Sequence, residues 1–84
     1  MAKHGEYAIL IATVNAAIVR AMDDGDTRGY DGQWLHQSPL EHSRHAFEHL
    51  CGFLNGEGDL DEHLDHAICR LIMLKIVRDG LVAH

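Results

Sequence analysis

The chain has no cluster of lysine or arginine: 7 basic residues are scattered among 13 acidic ones, for a formal charge of −6. Such a surface repels phosphate backbones unless divalent cations intervene, which argues against a module that binds DNA or RNA directly. Cysteine is scarce. Cys51 and Cys69 both sit in apolar stretches, as reduced cysteines acting as small buried hydrophobes do, so no disulfide framework is expected. The start, Met1 to Glu6, lacks the charged leader, apolar run and cleavage site of a secretory signal, and a cytoplasmic protein is expected. The longest apolar stretch, Tyr7 to Met22, is interrupted by Thr13, Asn15 and Arg20 and falls short of the roughly 20 residues that span a bilayer. A buried helix is expected there, and no membrane contact.

What is present suggests a small helical protein. A lone chain of 84 residues buries only roughly 60% of its unfolded surface, so a partner subunit or a metal is expected to add stability. Residues 6–23 are rich in Ala, Ile and Leu and follow helical spacing at Tyr7, Leu10, Ile11, Val14, Ile18 and Met22. Ile9, Ala12, Ala16, Val19 and Ala21 make this first helix apolar nearly all round, so its second side is expected to meet another copy in a homo-oligomer.

Residues 23–37 hold three glycines and four aspartates without periodicity and read as a loop anchored by Trp34. Asp24-x-Asp26 opens like a calcium loop, but Arg28 at the fifth position and Leu35 at the twelfth do not fit one. Trp34 serves either as a lid over the core or as a stacking face for a nucleobase. Ser38, Pro39 and Glu41 form the start of a second helix, which runs to about Leu54 with an apolar stripe of Leu40, Phe47, Leu50, Cys51 and Leu54. A second capping box, Asp59 with Glu62, opens a third helix that ends at Asp79–Gly80, its inner side lined by Leu64, Ile68, Leu71, Ile72 and Ile76. The expected fold is all-α: three helices, about 6–23, 39–54 and 60–79, the last two an antiparallel hairpin, in an oligomeric assembly.

Five of the eight histidines, His42, His45, His49, His63 and His66, fall between positions 42 and 66, with acids at helical spacing around them. Folding the hairpin about Glu57 brings His49 near His66 and Asp65. A metal could then be held by His49, His66 and a carboxylate from Asp61, Glu62 and Asp65; imidazoles favour Zn²⁺, Mn²⁺ or Fe²⁺, a carboxylate cage Mg²⁺. The plainer reading is a set of solvated or hydrogen-bonded histidines, with Asp59 and Glu62 serving the helix start and Glu41 and Glu48 ordinary surface residues.

The stretch from Trp34 through Ala46-Phe47-Glu48-His49-Leu50 and Gly56-Glu57, with Asp59 and Asp61, to His63-Leu64-Asp65-His66-Ala67 resembles the phage-borne dATP/dGTP diphosphohydrolase family, itself similar to all-α nucleotide pyrophosphohydrolases. It covers about half of the chain. The resemblance implies hydrolysis of a purine deoxynucleoside triphosphate to monophosphate and pyrophosphate, and carries over at Trp34, His49, Asp61, His63 and His66. It departs at Glu48, where a basic residue is usual, at Gly29-Tyr30 in place of Lys-Tyr, and in having one Glu62-x-x-Asp65 pair opposed by His45-x-x-Glu48. On this reading Glu48, Asp61, Glu62 and Asp65 are the catalytic acids. With His49, His63 and His66 they hold Mg²⁺ or Mn²⁺, with Zn²⁺ the alternative; Trp34 or Tyr30 stacks on the purine, and Arg44 or Arg70 neutralises pyrophosphate. The nucleotide is the expected ligand, and the setting the cytoplasm of an infected or lysogenic bacterium. The competing readings are a non-enzymatic helical interaction module with a structural or pH-sensitive His cluster, and a protein that sequesters nucleotides without hydrolysing them.

Overall fold

Three α-helices and one short 3-10 turn account for the computed structural model, which describes residues 3–29 and 32–81: α1, Lys3–Thr27; the turn, Gln33–His36; α2, Pro39–Leu54; and α3, Leu60–Arg78. No strand occurs among the described residues. The expected all-α fold and α2–α3 hairpin are thus present, and Val82 to His84 lie outside the described residues.

Local chemistry explains the helix ends. Ser38 Oγ accepts from the Glu41 N–H at 3.1 Å while Glu41 Oε1 accepts from the Ser38 N–H at 3.0 Å, closing the expected capping box. At the other end of α2, Gly56 takes φ 68°, and its N–H and that of Glu57 reach back to the carbonyls of Phe53 and Gly52. Gly80 repeats this arrangement after α3, with Leu81 N–H on Ile76 O. The second expected box is only half made: Asp59 caps Glu62 N–H at 3.1 Å, but the Glu62 side chain turns away toward Arg28.

α1 is longer than the 6–23 segment expected, because Asp23 to Thr27 continue the helix despite Gly25. Thr27 Oγ1 bonds the Asp23 carbonyl at 2.9 Å, and Arg28 pairs with Asp24 at 3.3 Å and with Glu62 at 3.3 Å. These side-chain contacts outweigh the loop-forming preference of the aspartates. The longer helix also changes the bilayer expectation: Gly5–Gly25, 21 residues of mean hydropathy 1.3, is long and apolar enough to cross a membrane by length and composition.

α3 is the central element, packing against α2 on one flank and α1 on the other, and touching the 3-10 turn. The hairpin is rotated relative to the expected stripe. α2 turns His42, Ala46 and Gly52 inward, and leaves Leu40, Phe47, Leu50 and Leu54 at 75%, 66%, 43% and 70% exposure. α3 buries Asp65, Ala67, Cys69, Met73 and Val77, while Leu71 and Ile72 face solvent. The small residues Ala46, Gly52 and Ala67 let the helices approach closely, and the imidazoles bond to one another, which makes a polar seam tolerable. What remains is a thin core. Among the described residues, four of its seven buried apolar side chains are alanines, and Ala21, Cys69 and Met73 gather Ile18, Met22 and Trp34 around them. Among the described residues, the N-terminal half of α1 is largely uncovered, Tyr7, Ile9, Leu10 and Ile11 all being exposed.

Candidate functional site

The end of α1, the 3-10 turn, α2 and α3 enclose a cavity of about 380 Å³, in the range that holds a small organic ligand. Its floor is apolar: Ala21, Met22, Trp34, Cys69 and Met73. The rest of its lining is polar: Arg28 paired with Asp24 and Glu62, Arg70 bonded to Gln37, and Gln33, His45, His49 and His66.

Three of these groups converge. His66 Nε2 lies 3.1 Å from Asp24 Oδ2 and 3.8 Å from Glu62 Oε1, and one donor atom from each residue falls within 4.8 Å of the other two. Two hard carboxylate oxygens and one imidazole nitrogen suit Mg²⁺ or Mn²⁺, and also Zn²⁺. Arg28, 3.3 Å from both carboxylates, neutralises part of their charge. Because Nε2 faces the carboxylates, His66 could ligate through that atom only with its proton moved to Nδ1.

The expected histidine set divides here. His66 joins the carboxylates, whereas His49 and His63 face each other, Nδ1 to Nδ1, at 3.1 Å. Two protonated nitrogens cannot approach so closely, so one donates and the other accepts. Burial, then the nearby charges of His66 and His63, push the His49 pKa down to about 4, so that this ring is neutral at pH 7. Its face stacks on His66, centroids 4.9 Å apart and planes 17° from parallel. Two stacked rings do not aim their nitrogens at a common ion.

His42 has no accessible surface and fixes the turn that carries Trp34. Its Nε2 lies 3.0 Å from the Trp34 carbonyl oxygen, which can only accept, so Nε2 bears the proton and Nδ1 accepts from Arg70 Nη1 at 3.1 Å. Burial lowers the His42 pKa in keeping with this neutral form. Arg70 also donates to Gln37 Oε1. Half-buried and held below its usual pKa by desolvation, it is a second positioned cation lining the cavity along with Arg28.

Of the residues the sequence nominates, Trp34, His49, Glu62, His66 and Arg70 line the cavity. Trp34 rests on the core, as a lid would, and also lines the cavity. His63 stands behind His49. The other nominations that the structure describes lie away from this cavity. Asp65 faces α1, where Arg20 engages both its oxygens; Asp61 lies with it on an adjoining cavity of about 770 Å³ between α1 and α3, which shares Asp24, Glu62 and His66 with the first. Glu48 is exposed and paired with His45 at 3.3 Å, and Arg44 sits on the outer side of α2. Tyr30 lies outside the described residues. Sequence reasoning missed Asp24 and Arg28, having placed both in a loop; their i, i+4 spacing was the available signal. Both cysteines are free, and burial raises the Cys69 pKa, leaving an unreactive thiol. No protein-family model, curated protein or solved structure matches the chain.

Proposed function

We propose that this chain hydrolyses a purine deoxynucleoside triphosphate to the monophosphate and pyrophosphate with the help of a divalent ion, Mg²⁺ or Mn²⁺. The observation that carries the reading is the meeting of Asp24, Glu62 and His66 at the edge of a cavity whose floor is apolar and includes Trp34. The resemblance of the Trp34 to Ala67 stretch to the phage-borne diphosphohydrolases supports the same substrate class and a cytoplasmic, phage-associated setting.

The roles follow from position. The purine lies on the apolar floor against the Trp34 ring. Asp24, Glu62 and His66 would hold the ion, which would supply positive charge beside the phosphates and lower the pKa of an attacking water. In the hydrolysis a water oxygen bonds to the α-phosphorus, the α–β anhydride bond breaks with its electron pair leaving on pyrophosphate, and the water's proton passes to solvent. Arg28 and Arg70, both lining the cavity, offset the charge that an acidic protein otherwise opposes. A homo-oligomer joined through the uncovered half of α1 completes this reading.

A second reading, a nucleotide-sequestering or interaction module, needs the floor and the exposed apolar helix faces but not the carboxylates. Pyrophosphate release from a panel of deoxynucleoside triphosphates with Mn²⁺ separates the two. The enzyme reading expects turnover that falls at least 100-fold in Asp24→Asn and in His66→Ala. Turnover indistinguishable from these variants, with Trp34 fluorescence still quenched by nucleotide, leaves sequestration.

A further inference from the structure

The outer side of α2 carries Leu40, Phe47 and Leu54 at intervals of seven residues with Leu50 beside them, all exposed and none of them part of the core cluster around Ala21, Cys69 and Met73. A seven-residue recurrence keeps one stripe in line along a helix, and a straight apolar stripe fits another helix. We propose that this stripe is a contact between two copies of the chain, α2 packing antiparallel on α2 across a two-fold axis at Phe47.

Three observations select a second copy. The first is self-complementarity: reversal about position 47 sets Leu40 over Leu54 of the second copy and Phe47 over Phe47, so an apolar group meets an apolar group along the whole stripe. The second is charge. Arg44 and Glu48 flank the stripe, both exposed, and Arg44 has no ion-pair partner among the described residues. The antiparallel arrangement brings Arg44 of each copy within a turn of Glu48 of the other, whereas a parallel one aligns Arg44 with Arg44. The third is area. Four large side chains exposed to this degree, with the stems of Arg44 and Glu48, offer on the order of 500 Å² per copy, hence about 1,000 Å² for the pair, where specific association begins.

This surface is distinct from the uncovered half of α1 and does not depend on the nucleotide reading, since none of these residues lines the cavity. Sedimentation of the full chain tests it. The assembly is expected to lose at least half its mass in Phe47→Glu, with far-UV helicity retained because the side chain is exposed. Arg44→Glu is expected to weaken association about 10-fold and the charge swap Arg44→Glu/Glu48→Arg to restore it. Phe47→Cys in a Cys51→Ser background is expected to form a disulfide-linked dimer under mild oxidation. A monomeric parent chain at 100 µM (on the order of the micromolar range typical of such interfaces), an unchanged mass in Phe47→Glu, or no rescue by the charge swap each overturns the proposal.

Discussion

Asp65 holds Arg20 with both carboxylate oxygens, at 2.8 and 2.7 Å, and so serves the α1–α3 contact rather than the cavity. The Arg20 hydrogen bonds keep the Asp65 carboxyl below its ordinary pKa. The stability this pair lends is therefore fully present above about pH 4, the unfolded value, and is lost as pH falls through the lower folded value. Asp65→Asn is expected to lower the melting temperature at pH 7 and to lack this acid limb, while any metal-dependent activity stays within about twofold of the parent. The effect should shrink in high salt, since Arg20 is exposed. Thermal melts from pH 2 to 7 decide it, and a hundredfold loss of activity would return Asp65 to the site.

His42 gives a second window. Burial depresses its folded pKa, so as pH falls below about 6.5 the unfolded chain takes up a proton that the folded chain refuses, and stability declines until the folded value is reached. Above that window its contribution is flat. His42→Ala is expected to cost about 2–4 kcal/mol through the void and the lost partners of Trp34 O and Arg70. Denaturant melts at pH 5 and pH 7 should differ less in this variant than in the parent.

Gly52 is tied to one neighbour. A Cβ there would lie 2.7 Å from the His63 ring, which cannot swing aside without leaving His49. Alanine gains about 1 kcal/mol in helix propensity, but overpacking costs about 1–3 kcal/mol. Gly52→Ala alone should therefore be less stable than the parent, whereas Gly52→Ala/His63→Ala should be more stable than His63→Ala. Equal effects in both backgrounds would show that the ring is not the obstacle.

Asp24 tests the ion site without reference to turnover. Mn²⁺ is expected to raise the melting temperature of the parent by a few degrees, reversibly with chelator, and to leave Asp24→Asn unmoved. An equal rise in both proteins would place the ion elsewhere, the His49–His63 pair being the next candidate.

Much of this architecture is legible in the residues. Ser38-Pro39-x-Glu41 and Asn55-Gly56 mark both ends of α2 because capping chemistry is local, and the hairpin that brings His49 to His66 follows from the short turn between capped helices. The rotation of α2 is not legible. Hydrophobic periodicity assigns Leu40, Phe47 and Leu54 to the interior, but a single chain cannot reveal whether the surface an apolar stripe meets is its own. The end of α1 was missed for a related reason: Asp23 to Asp26 favour a loop locally, and the contacts that hold them helical come from Arg28, Glu62 and His66, two of them more than 30 residues away. Glu62 looks like half of a cap, and only the fold shows that it points into the cavity.

α1 leans on α3 and on the Trp34 ring, while α2 and α3 hold each other. Amide hydrogen exchange should therefore release α1 first and the paired helices last. Each time the first helix lifts, the cavity loses a wall and one of its three converging donors together, so ligand entry and local unfolding become the same event.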